Sequence, residues 1–298
     1  MARTAPTRRR DSVARSNGCG TLIAAFLLLL ASLPALAETR LERGRYLVET
    51  IAACGNCHTP QGPNGPLPGK ALAGNQVIED NPAFRAVASN ITPDRRTGIG
   101  AWTDAQIARA IREGIRPDGS VIGPPMPIAW YRDLADEDVA AMVAYLRSIP
   151  AVANVSEKST YRMPLPPNYG PPVGRVVAPP RSDMVRYGAY LAGPVGHCME
   201  CHTPFGAPGQ RDLERLGVGG QPFEGPWGVS VAANITPGRA TGLGGWSDAE
   251  IERAIRRGVS QDGRQLFPPM PFGHYARIST PDMAALIAYL RSLPPVER

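Results

Sequence analysis

The chain has 298 residues, 43% of them hydrophobic and 6% aromatic, with 32 glycines and 32 prolines. That is room for two domains of ordinary size, with long irregular loops between few regular elements. The formal charge of +6 sits mostly at the N-terminus, where five arginines against Asp11 give residues 1–37 a net +4; the remainder, close to +2, gives no basis for a nucleic-acid or anionic-membrane partner.

In chain order, Arg3, Arg8, Arg9, Arg10 and Arg15 precede an apolar run over 21–33, and Ala35-Leu36-Ala37 has the small-x-small pattern of a leader cleavage site. The run falls short of the ~20 residues of a comfortable membrane span. Residues 1–37 are therefore expected to be a cleaved signal peptide, taking Cys19 with them. The mature protein should begin at Glu38 and be periplasmic, soluble or peripheral to the membrane. A helix is predicted around 41–52. It leads into Cys54-Gly55-Asn56-Cys57-His58. Asn90-Ile91-Thr92-Pro93 follows in a loop. Thr103-Asp104-Ala105-Gln106 is a capping-box pattern that opens a second helix, with Ile107, Ala110 and Ile111 at helical spacing and Gly114 as its stop. Pro124-Pro125-Met126-Pro127 reads as a rigid loop. Val139, Met142, Val143 and Leu146 share one face of a closing helix. The stretch 151–180, with seven prolines between Pro164 and Pro180, reads as an extended interdomain linker.

The same pattern then returns 144 residues later: Cys198, Cys201 and His202; Asn234-Ile235-Thr236-Pro237; Trp246 for Trp102; Met270 in its own Pro-Pro-Met-Pro; Tyr289-Leu290-Arg291-Ser292 for Tyr145-Leu146-Arg147-Ser148. The expected division is a signal peptide over 1–37, one domain over 38–150, the linker over 151–180 and a second domain over 181–298. No convincing strand alternation is visible, and the expected fold class is all-α with long loops.

Cys-x-x-Cys-His is the attachment signature of haem c: two thiols add across the haem vinyl groups and the adjacent His is held beneath the iron. Cys-x-x-Cys alone also suits a zinc half-site or thioredoxin-like redox chemistry. The first needs further ligands that the first copy lacks, and the second needs a βαβ context that is absent. Two covalently bound haems, on Cys54, Cys57 and His58 and on Cys198, Cys201 and His202, are therefore expected. The sixth ligands are expected to be Met126 and Met270, each 68 residues after its His in a proline loop rather than on an apolar helix face. Met142, Met163, Met184, Met199 and Met283 read as core or surface, and His197 and His274 as weaker competitors. Asn90, Thr92, Trp102, Asn234, Thr236 and Trp246 are candidates to bind the haem propionates, set against a plain reading as a loop turn and a core Trp. Gly44, Tyr46, Gly188 and Tyr190 suggest close packing of first helix on last.

Each half resembles a class I cytochrome c domain: a helix with Gly-x-Tyr, Cys-x-x-Cys-His, a Met loop, and a closing helix ending Tyr-Leu-Arg-Ser. Asn90-Ile91-Thr92-Pro93-Asp94, Thr97-Gly98-Ile99-Gly100 and Trp102 resemble more narrowly the cytochrome c subunits of bacterial membrane-associated alcohol, gluconate and aldehyde dehydrogenases. The resemblance implies an electron carrier rather than an enzyme. It would work between the catalytic subunit of a dehydrogenase and a downstream acceptor, a quinone or an oxidase. The chain departs from the well-known members in having two haem motifs rather than three and no C-terminal anchor, and Gly238 stands where the first copy has Asp94. The alternative is a two-haem enzyme, such as a peroxidase or a thiosulfate-oxidising cytochrome. Such an enzyme needs an open iron or different axial ligation, and paired Met126 and Met270 weigh against both.

Overall fold

In the computed structural model, which describes residues 38–206 and 210–297, helix α1 (Arg40–Tyr46) starts at a capping box in which Thr39 and Glu42 satisfy each other's backbone N–H groups. The expected signal peptide lies outside the described residues. α1 widens into a π turn (Leu47–Ile51) and is followed by the short helix α2 (Cys54–His58). Two small hairpins come next, β1 (Gln61–Gly62) with β2 (Gly65–Pro66) and β3 (Val77–Asp80) with β4 (Phe84–Val87). Helices α3 (Asp104–Glu113), α4 (Ile128–Tyr131) and α5 (Asp136–Ser148) complete the first copy, and strand β5 (Thr160–Tyr161) lies in the linker. The second copy repeats the order: α6 (Met184–Tyr190), a π turn (Leu191–Val195), α7 (Cys198–His202), β6 (Pro222–Gly225), β7 (Gly228–Val231), α8 (Asp248–Arg257), α9 (Phe272–Tyr275) and α10 (Thr280–Ser292).

The all-α expectation fails. Helix makes up about 35% of the described residues, and antiparallel β3-β4-β5, β1-β2 and β6-β7 sheets make the fold mixed. The strands are two to four residues long and mostly exposed; β3 buries no side chain and β6 begins with Pro222. Except in β4, whose Phe84, Ala86 and Val87 are buried, backbone pairing that closes a loop, rather than an apolar face on a core, holds them. The period-2 signal of a half-buried strand is therefore missing from the sequence.

In each copy the first helix crosses the last. A Cβ on Gly44 would run into the Ala141 carbonyl, and one on Gly188 into that of Ala285, so only glycine permits the approach. Arg43 clamps this crossing in the first copy with a bidentate pair to Asp138, at 2.7 and 2.9 Å. Tyr187 stands at the matching position in the second.

Residues Glu38 onward form one compact unit in which the copies meet through equivalent surfaces. Tyr46 donates to Asp282 of the second copy at 2.8 Å, and Tyr190 donates to Asp138 of the first at 2.6 Å. The same hydroxyls accept from backbone N–H groups across the contact, Tyr46 from Ser279 and Tyr190 from Ala135. All these partners are offset by 144, so the contact has two-fold pseudosymmetry. The core runs through it without a break, from Leu47 and Ile51 to Leu191 and Val195.

The linker contains no helix and lies along the first copy. Val152 and Asn154 bond the Asn90 loop, Thr160–Tyr161 pairs with β4, and Tyr161 and Tyr169 donate to the carbonyls of Pro124 and Ile122. It straps the first copy along these contacts.

Candidate functional site

Each Cys-x-x-Cys-His folds as a single helical turn, which puts its two cysteines on one side. The residue before the turn, Ala53 or His197, is in the left-handed region at φ 48° and 42°. That conformation breaks the preceding π turn and sets the motif at an angle to α1 or α6. Neither residue is glycine, and both carry the strain of this region, about 1–2 kcal/mol for an L-residue. π turns and such outliers recur at functional sites, and here both features occur twice.

The histidines are oriented alike. His58 Nδ1 lies 2.7 Å from the Ser89 carbonyl oxygen, and His202 Nδ1 2.8 Å from that of Ala233. A carbonyl only accepts, so Nδ1 carries the proton and Nε2 keeps its lone pair for a metal. Burial lowers both histidine pKa values and favours the neutral ring that a ligand requires. Burial pushes the four thiols up, Cys57 and Cys198 to about 11 and Cys54 and Cys201 to about 12. No group of three or more His, Cys, Asp or Glu that could hold a metal occurs among the described residues. Paired half-buried thiols beside a histidine with a free Nε2 fit two covalently attached haem c groups.

Met126 and Met270 are half-buried against the core, each just after a cis Pro-Pro bond and before a short helix, α4 or α9. Asn90 and Thr92 have their partners within the protein. The Asn90 amide donates to Val152 O at 2.8 Å and to Thr97 Oγ1, while its Oδ1 accepts from the N–H and hydroxyl of Thr92. Asn234 and Thr236 repeat this with Val296. These four side chains staple the segment after the last helix of each copy to the loop. The indole N–H groups of Trp102 and Trp246 form no hydrogen bond among the described residues.

The two motifs adjoin across the pseudo-dyad. Burial raises the Cys201 thiol first, with Glu200 and, more weakly, Cys57 of the first copy adding to it. Glu200, which replaces Asn56, is itself pushed up to about 7 by burial, against the pull of Arg211. Tyr131 of the first copy stands edge-on to His197 at 5.9 Å between ring centroids, and His274 Nδ1 lies 2.7 Å from the Glu49 carbonyl oxygen. Sequence reasoning missed Glu200, Tyr131 and the Tyr46–Asp282 and Tyr190–Asp138 pairs. The repeat marks Asp138 and Asp282 as equivalent, but no spacing tells which tyrosine each one faces.

The cytochrome c family model matches residues 41–150 and again 188–294. The fructose dehydrogenase cytochrome subunit of Gluconobacter japonicus is 32% identical over 271 residues, covering 85% of this chain and 52% of that protein. The cytochrome c subunit of alcohol dehydrogenase (quinone) of Gluconacetobacter polyoxogenes is 32% identical, covering 92% of this chain and 61% of that protein. A "Diheme cytochrome c-type" protein of Cereibacter sphaeroides is 29% identical, covering 82% and 83%. The chain thus spans about half to three fifths of the first two relatives. With both halves matched by one model, and with the haem-attachment turn built the same way in each, the chain belongs to the cytochrome c family.

Proposed function

We propose that this protein is a two-haem electron carrier, exported to the periplasm after cleavage at Ala37–Glu38, that takes electrons from a partner dehydrogenase and passes them to a quinone or oxidase chain. The proposed division remains 38–150, 151–180 and 181–298. The observation that carries the reading is the duplicated motif: two turns with half-buried paired thiols and an oriented histidine, brought together across one pseudo-dyad. Haem c supplies one-electron iron chemistry. The chain's own residues would tether it through Cys54, Cys57, Cys198 and Cys201. His58 and Met126 would ligate one iron, and His202 and Met270 the other. Trp102 and Trp246 keep indole donors for propionates, whereas Asn90, Thr92, Asn234 and Thr236 hold the loops that surround the groups. Relatives named as cytochrome subunits of dehydrogenases support a dehydrogenase partner.

The test is axial ligation. With both methionines bound, the reduced protein should bind carbon monoxide poorly and turn over little peroxide. Met126→Ala should open the first iron alone and Met270→Ala the second. Each should lower the potential of its own haem, since axial ligands help set potentials across roughly 0.8 V. Rapid carbon monoxide binding by the unaltered protein would move the reading to a peroxidase-like enzyme.

A further inference from the structure

Each methionine loop runs into a short helix that lies against the other copy, α4 against the second π turn and α9 against the first. Trp130, four residues after Met126, packs on the second copy, where a Cβ on Gly193 would lie 3.4 Å from its ring. Tyr131 beside it stands edge-on to His197. His274, four residues after Met270, packs on the first copy, where a Cβ on Gly55 would lie 3.2 Å from its ring. The methionine loop of each copy is thus seated on the haem-attachment segment of the other.

The two seats differ in chemistry. A helical turn leaves its last carbonyls without donors of its own. In the second copy the following backbone supplies them: the N–H groups of Gly196 and His197 bond the Gly193 carbonyl, the latter at 2.9 Å. In the first copy the equivalent carbonyl, that of Glu49, accepts from two side chains of the second copy. His274 Nδ1 lies 2.7 Å from it and Arg277 Nη2 2.5 Å. A carbonyl only accepts, so His274 donates through Nδ1. Trp130 and Asp133 stand at the places equivalent to His274 and Arg277. The path from His274 back to Met270 is one stiff turn. Pro269 and Pro271 flank the methionine, the Pro271 carbonyl accepts from the N–H groups of His274 and Tyr275, and that of Met270 accepts from Phe272. The Met126 loop has a further hold within its own half. Tyr161 of the linker covers Gly123, where a Cβ would lie 2.6 Å from its ring, and donates to Pro124.

We propose that His274 is a positioning residue for the second haem. By bonding the Glu49 carbonyl it anchors the Met270 loop on the turn that attaches the first haem. The axial thioether of one site is then held in place by the attachment segment of the other. Arg277 shares the carbonyl and reinforces the anchor. Groups that fix a ligand without touching the metal govern how firmly that ligand binds. The proposal rests on the reading of Met270 as the axial ligand.

The test uses the holoprotein carrying Met126→Ala, in which only the second haem keeps a methionine. The near-infrared sulfur-to-iron charge-transfer band of the ferric protein then reports Met270 alone, and added imidazole competes with it. Adding His274→Ala should lower the imidazole concentration that halves the band by about tenfold, the lower end of what such supporting groups contribute. Arg277→Ala, at an exposed position, should shift it in the same direction by less. His274→Asn, which can donate to the same carbonyl, should restore most of the loss. An unchanged midpoint in His274→Ala, or a His274→Asn protein as weak as His274→Ala, would overturn the proposal. A lower melting temperature with an unchanged midpoint would mark His274 as merely structural and overturn it equally. Should His274→Ala fail to take up haem, Arg277→Ala decides: an unmoved midpoint there rejects the anchor. A Met126→Ala protein that holds both haems but has no such band would instead strike Met270 as ligand, and the proposal with it.

Discussion

Asp138 and Asp282 occupy the same place in the repeat and meet different surroundings. Asp138 has a bidentate arginine and the Tyr190 hydroxyl, whereas the Asp282 carboxylate has the Tyr46 hydroxyl, and its Oδ1 is buried without a partner. Removing a hydroxyl therefore has unequal effects. Tyr190→Phe leaves Asp138 paired with Arg43, while Tyr46→Phe takes from a fully buried carboxylate its one side-chain donor. A buried group left unsatisfied costs about 1–3 kcal/mol, more when charged. Tyr46→Phe should thus lower stability more than Tyr190→Phe, as chemical denaturation of the two holoproteins would show; equal losses would contradict this account. At this scale the sequence was legible where covalent chemistry dictates residue type. Cys54, Cys57 and His58 and their repeats announce themselves because haem attachment tolerates no substitute at those spacings. The Tyr–Asp pairs were illegible because a contact between copies leaves no periodicity.

The haem-attachment turns depend on the elements that deliver them. Ala53 and His197 hold left-handed conformations, in which a β-branched residue is a genuine outlier. Ala53→Val should raise the strain and reduce haem incorporation at the first site, whereas Ala53→Gly should be tolerated; haem-to-protein ratio measured by pyridine haemochrome is the check. Gly44→Ala offers a second element-level test. Its Cβ would strike the Ala141 carbonyl, and overpacking of this kind costs about 1–3 kcal/mol. The melting temperature should fall, and Gly188→Ala should do the same from the other copy. The capping boxes at Thr103–Gln106 and Ser247–Glu250 and the glycine stops at Gly114 and Gly258 could be read directly, because each signal lies within one turn. The hairpins could not. Val77–Asp80 and Gly228–Val231 owe their pairing to loops that bring backbones together, and their side chains record little of it.

At the scale of the molecule, the repeat was plain in the sequence and suggested two domains on a stiff spacer. The described chain packs as one unit, with 151–180 lying along the first copy and the core shared. Calorimetry of the holoprotein should therefore show one cooperative unfolding transition; two separate transitions of comparable size would contradict a shared core. Breaking the strap's hold on the first copy by Tyr161→Ala should expose Gly123 and Pro124 to protease, leaving the haem content of the second copy unchanged.

The Tyr46–Asp282 and Tyr190–Asp138 contacts use one patch twice, related by a half-turn. This is the geometry by which an unlinked copy would bind its own twin. In such a twin every substitution strikes both sides at once. Joined in one chain, each side changes alone, and Arg43 beside Tyr187, Asn56 beside Glu200 and Glu49 beside Gly193 mark places where the two halves have gone separate ways. Covalent union has turned a self-complementary surface into one with a front and a back.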